Sequence, residues 1–309
     1  MNHSGFNHCF QSRSLTSLLL LIAMLLAFQA KAQDIDLTWK LSANDKFSIT
    51  MQQQSKIVSQ VDQRNRTSSN DMQMWIDWKV VEVSPNGVYK IEQTIRRITL
   101  ITKTPNDSGE QVTNVDTETI DNTRGLAARL GQMIAPLIGS TITIQMTERG
   151  EIESVVIPET TMESLRQAPE SMRLRELFTE ESLSQMFGQA ALQTPDQPIA
   201  SGATWKVNRE ISSDMGSFDQ IQLFTLQKQQ SESNVQTITL KTELQEKSPS
   251  LTGAQLEKFE GSGTFKYNSA EGIFSESQIN SLMVTTKNYS DLVIETNVTS
   301  MIKLNVRRQ

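Results

Sequence analysis

Imidazole and thiol are nearly missing from this chain. Its only histidines and its only cysteine are His3, His8 and Cys9, all inside the opening stretch MNHSGFNHCF. With that stretch removed, the mature protein can build no Ser-His-Asp triad, no cysteine nucleophile and no zinc site ligated by His or Cys. It can form no disulfide either, so core burial alone must hold it together. Clustered positive charge is missing too. The chain has 29 basic residues against 35 acidic ones, and the pairs Arg96-Arg97 and Arg307-Arg308 stand isolated. That balance speaks against nucleic acid and anionic membrane surfaces as partners. Four tryptophans and three tyrosines are too few for the aromatic girdles of an outer-membrane barrel. No G-x-G-x-x-G, Walker loop or H-E-x-x-H occurs, and no cofactor is expected.

One long apolar run is present, and it explains where the opening stretch goes. Arg13 is followed by SLTSLLLLIAMLLAFQAKAQ, an apolar core over residues 18–28 and then Ala30-Lys31-Ala32. This is the layout of a secretory signal peptide over residues 1–32, with cleavage between Ala32 and Gln33. The run is about half the ~20 residues that a membrane-spanning helix needs. Cys9 precedes it and cannot become a lipidated N-terminus. The expectation is an exported, unlipidated protein, periplasmic or secreted, with no membrane span after signal cleavage. Loss of Arg13 and Lys31 makes the mature chain more acidic than the −6 of the whole.

The rest of the sequence is dominated by alternation. Leu292, Ile294, Thr296, Val298, Ser300, Ile302, Leu304 and Val306 share one side of a strand candidate, and polar residues share the other. Met72, Met74, Ile76, Trp78 and Val80 do the same in DMQMWIDWKVVEVS. Asn86-Gly87, Arg149-Gly150 and Glu271-Gly272 mark hairpin turns between such runs. A strand over residues 291–306 would span ~50 Å, so curved sheets bent at bulges are expected, with Arg96-Arg97 a bulge candidate.

Two stretches carry a helical period instead. Leu126, Leu130, Met133, Ile134 and Leu137 form one face of a helix that Pro136 ends or kinks. Residues 160–190 form the other, with Thr160 and Glu163 as a capping box and a further start at Thr179-Glu180. ALQTPDQPIASG then reads as a linker. The openings LTWKL and ATWKV, each starting a strand, suggest two related β-units, one over residues 33–158 and one over 201–309. A helical connection and linker over 159–200 joins them. The fold class is α+β, mostly antiparallel β: two curved, half-barrel-like sheets with a few packed helices.

This layout resembles a family of exported bacterial proteins carrying a domain of unknown function. The segments that carry the resemblance are DLTWKLSANDKF, WIDWKVVEVSPNGVYKIEQTIRRI, APLIGSTITIQMTERGEIESV and PIASGATWKV. They cover nearly the whole mature chain. The resemblance implies a β-rich exported protein and brings neither an activity nor catalytic residues.

Candidate chemistry is sparse. Asp116 and Glu118 in NVDTETIDN would share a strand face, as a calcium-binding or glycosidase pair or as an ordinary solvated edge. Trp75, Trp78 and Tyr89 lie close across the Asn86-Gly87 hairpin and are candidates for a ligand surface, although aromatics on strands more often serve the core. Trp39 and Trp205 read as core anchors. No catalytic, cofactor-binding or metal-ligating residue is assigned. The expected function is a non-enzymatic envelope protein that binds an apolar small molecule in a curved sheet. The alternative is a structural or protein-interaction module meeting another envelope protein through its β-edges. A carboxylate-dependent hydrolase is a distant third.

Overall fold

Alternating residues and tight turns build a meander of long strands. The computed structural model describes residues 34–61, 64–106, 109–120, 124–167, 192–213, 216–228, 233–250, 253–289 and 292–309. The signal peptide with Ala32 and Gln33, residues Asp121 and Asn122, and the helix start at Thr179-Glu180 lie outside them. The strands are β1 (Lys46–Val61), β2 (Arg64–Val83), β3 (Val88–Asn106), β4 (Gly109–Asp116), β5 (Thr141–Thr147) and β6 (Ile152–Val156). They continue as β7 (Thr204–Ser213), β8 (Gly216–Leu226), β9 (Val235–Ser248), β10 (Ala254–Asn268), β11 (Ile273–Tyr289) and β12 (Leu292–Arg308).

These strands form one twelve-stranded sheet, not two. Its order is β6-β5-β3-β2-β1-β12-β11-β10-β9-β8-β7, with β4 beside β3. Neighbours pair antiparallel, and the two halves of the chain meet where β1 pairs β12 from Phe47↔Arg308 to Gln60↔Glu295. Because each half is a meander, that single pairing merges both into a continuous surface. The Asn86-Gly87, Arg149-Gly150 and Glu271-Gly272 turns join β2 to β3, β5 to β6 and β10 to β11, and all three glycines take positive φ. We call the end carrying these turns proximal and the opposite end distal.

The bulge falls where the apolar phase breaks. Trp75 pairs Arg97 and Ile76 pairs Ile95, leaving Arg96 as the extra residue. The insertion keeps Ile91 and Ile95 on the same face as Ile98, and all three are buried. Without it the second half of β3 would turn its apolar side chains to solvent.

The sheet curls at its proximal end until its two arms share a core. One buried cluster holds Tyr89, Ile91, Ile144 and Met146 from one arm with Phe224, Ile238, Leu240 and Phe265 from the other. Leu37, Trp39 and Leu41, which precede β1, belong to the same cluster and run between the arms as a strap. The two Thr-Trp-Lys openings are therefore not equivalent. Thr204 starts β7, whereas Thr38 lies in the strap outside any strand.

A second cluster lies at the middle of the same face. Ile49, Met51, Met74, Ile76, Ile95 and Ile98 pack there under Leu137 and Leu165. Leu137 ends a 3-10 turn (Ala135–Leu137) that follows helix α1 (Gly125–Ile134), with Pro136 at the break as its missing N–H demands. Leu165 belongs to α2 (Glu159–Gln167). The N–H groups of Thr161 and Met162 bond to the Pro158 carbonyl, so Thr160 sits inside the first turn and does not cap the helix.

The expected linker is also built in. Leu192 and Thr194 are buried, and Ile199 exchanges two backbone hydrogen bonds with Ile35 of the strap. Arg149 ties the same segment down through the Pro195 and Asp196 carbonyls. None of the described helices is long and apolar enough to cross a membrane.

Candidate functional site

The strap is the element around which the proximal end is assembled. Its backbone is held from both arms: Trp39 N–H donates to Glu148 O and Lys40 N–H to Gly272 O, each at 2.8 Å. Two buried tyrosines repeat the arrangement with side chains. Tyr89 of β3 donates its hydroxyl to Trp39 O at 2.6 Å, and Tyr267 of β10 donates to Thr38 O at 2.8 Å. Gly150 and Gly272 permit the close approach. A Cβ at Gly150 would lie 2.5 Å from Leu192 O, and one at Gly272 would lie 2.3 Å from Lys40 Cβ.

Burial pushes the Tyr267 phenol up to about 12, with the Asp36 carboxylate and Tyr89 adding to the effect. Burial raises Tyr89 as well, while the Leu41 backbone pulls the other way and Glu148 adds to the rise. Both hydroxyls remain donors across the neutral range.

Beside the strap the arms leave a hollow of about 70 Å³, walled mainly by Trp39, Trp78, Met51, Ile76, Phe274 and Leu304. Two residues of this wall carry buried donors without an acceptor, Trp39 Nε1 and Gln93 Nε2. Gln93 uses its oxygen to accept from Trp78 Nε1 at 2.7 Å. Its amide N–H groups are left in an apolar wall. An unsatisfied buried donor costs about 1–3 kcal/mol, and since neither nitrogen is accessible to water, an acceptor oxygen reaches them only where the wall gives way. The hollow's size suits roughly two waters or the end of a slender molecule. It is well below the roughly 300 Å³ of a typical small-molecule pocket.

The three aromatics singled out in the sequence do not form one surface. Trp78 lines the hollow and Tyr89 holds the strap beside it. Trp75 points to the opposite face of β2, where the Arg97 guanidinium lies 4.9 Å from its ring centre. Trp39 packs against Trp78 and Phe274, while Trp205 stacks on Phe224 and donates to Gln193 O. Asp116 ends β4, and Glu118 lies in the turn beyond it, not on the strand. Arg97 grips Asp116 with two hydrogen bonds of 3.0 and 2.6 Å and reaches Glu118 at 3.0 Å. That grip holds the Asp116 carboxyl below the usual carboxylate range, which suits an ion pair and not a proton donor. Among the described residues no group of three or more His, Cys, Asp or Glu could hold a metal ion.

Sequence reasoning missed Gln93, Tyr267 and the strap. Gln93 did leave a signal: it is the polar member of the otherwise apolar phase Tyr89, Ile91, Gln93, Ile95. The strap left no sign of its partners, because Glu148 and Tyr267 carry no local mark and Gly272 is marked only as a turn.

The model of the family of unknown function DUF6263 matches residues 86–273, and the chain belongs to that family. No curated protein matches it. Among solved structures, one described by lipid–protein interactions in lipovitellin is similar with a TM-score of 0.49 and 10% identity. It covers 87% of this chain, which spans 25% of the lipovitellin chain. An outer membrane channel from Pseudomonas putida F1 is similar with a TM-score of 0.22 and 6% identity, over 89% of this chain and 100% of the channel. Likenesses this distant carry no inference about what the chain binds.

Proposed function

We propose that this is an exported, non-enzymatic binding protein that holds an apolar ligand between the arms of its curled sheet, with a neutral acceptor oxygen at the buried end of the ligand. The observation that carries this reading is the apolar hollow beside the strap with the unpartnered Trp39 and Gln93 donors. A carboxylate is the poorer guest, because among the described residues no cation lines the hollow to offset its desolvation. At about 70 Å³ the hollow takes only the tip of such a ligand while the strap is seated. Fuller entry requires the arms or the strap to shift.

Native mass spectrometry of the protein purified gently from its source, followed by organic extraction, tests the reading. A co-purifying apolar ester, amide or alcohol that Gln93→Leu loses supports it. A clean ligand-free mass after gentle purification overturns it. The sheet's terminal strands β6 and β7 favour a second reading, an interaction module. Among the described residues each has a neighbouring strand on one side only, which leaves backbone groups for a partner strand.

A further inference from the structure

Beyond the hollow, the opposite face of the sheet carries an ordered polar surface. The register across six adjacent strands aligns two outward rows in the distal half. One runs Ile101, Asp71, Gln54, Met301, Asn280, Ser262 from β3 to β10. The next contains Lys103, Lys56, Leu282 and Glu260. Together they line an open groove of about 790 Å³, within the roughly 300–1,000 Å³ of ligand sites. At the same level the inner face carries only small groups across the centre: Ser55, Ser300, Ser281 and Gly261. No bulky side chain resists the bend there. At Gly261 a Cβ would lie 2.7 Å from Thr242 Cβ, so a larger residue there would crowd its neighbour.

We propose that this groove is a binding site for a neutral oligosaccharide chain. Its two ammonium groups, Lys56 and Lys103, are matched by two carboxylates, Asp71 and Glu260, so it selects neither polyanions nor polycations. Its remaining polar groups are amides and hydroxyls, which both donate and accept as sugar hydroxyls do. Met301, Leu282 and Ile101 offer apolar contact for the C–H faces of the rings. Asp71 accepts from Gln54 Nε2 at 2.8 Å and from Gln52 Nε2 at 3.4 Å. The key amide is thereby fixed before a ligand arrives, which lowers the entropy cost of binding. An extended peptide is the poorer fit. On the groove floor β2, β1, β12 and β11 are each paired on both sides, so a peptide lying there finds no edge to extend; the free edge is at the rim, where β10 has no β9 partner before Gly261.

The test is isothermal titration calorimetry of the mature chain with maltohexaose, cellohexaose and chitohexaose. Polygalacturonate serves as the acidic control and an unstructured Gly/Ser peptide as the backbone control. At least one neutral hexasaccharide is expected to bind. The double variant Gln54→Ala/Asn280→Ala should weaken it at least tenfold while melting as the parent does. The proposal is overturned if no neutral sugar binds, if either control binds more tightly, or if a normally melting double variant binds as the parent does. Should that variant melt early, Leu282→Lys takes its place, and undiminished binding by it overturns the proposal equally.

Discussion

The two ends of the same strands live under different rules. Proximally, β1 buries Phe47, Ile49 and Met51 on one face and exposes Lys46 and Ser48 on the other. Further along, Gln52, Gln53, Gln54 and Ser55 are all half-buried, whichever face they occupy. The inner face itself changes chemistry along the way. The row Ile98, Met74, Met51, Leu304, Ser277, Phe265 is mostly apolar and packed, whereas two rows further out Ser55, Ser300, Ser281 and Gly261 take over. Strand formation thus needs only alternation and pairing, while a core needs a second layer. Among the described residues the strap supplies that layer at the proximal end and the helical turn over the middle of the same face.

Variants at the two ends can sharpen or break this contrast. The largest effect is expected from Trp39→Ala, which removes the strap's ring from between Trp78 and Phe274 and should cost about 3–5 kcal/mol. A urea melt little changed from the parent would show that the strap does not lock the proximal end. Next comes a matched pair on the inner face. Met51→Ala, buried, should cost about 2–5 kcal/mol. Met283→Ala, half-buried in the distal half, should cost about 1 kcal/mol or less. Equal costs in the same melts would erase the distinction between the ends.

The smallest effect is in alkali. Tyr267 is neutral in both folded and unfolded chains below the ordinary phenol range near 10. Between there and its folded value of about 12 only the unfolded chain ionises. Its contribution is therefore whole below about pH 10 and declines above it, by at most ~1.4 kcal/mol per pH unit. Stability measured from pH 9 to 11.5 should fall less steeply in Tyr267→Phe. Parallel curves would place the alkaline loss elsewhere.

Much of this architecture could be read locally. The three glycine turns, the phase of β2 and β12, the bulge at Arg96 and the break at Pro136 each leave a mark within a few residues. What escaped was long-range. The pairing of β1 with β12 has no local signature, and it converts two expected sheets into one. Residues 192–199 have the composition of a linker, yet burial of Leu192 and the Ile35–Ile199 bridge make them structural. At the candidate site, Trp78 and Tyr89 were found by aromatic character alone. Aromatic character alone also picks out Trp75, which strand alternation sends to the other face. Gln93 is not legible in this way, because a polar residue in an apolar phase has meaning only once its surroundings are known.

The β1–β12 seam also dictates an order of events. Arg308 reaches back to Asp45 across 263 residues of chain, and the sheet's middle exists only after its last strand has arrived. Contacts of such span form slowly, because the intervening chain must lose its freedom before they are made. Until then the first strand of the meander presents an unpaired edge to its surroundings. The molecule therefore finishes at its centre, and a chain emerging N-terminus first stays open there until β12 has followed β1.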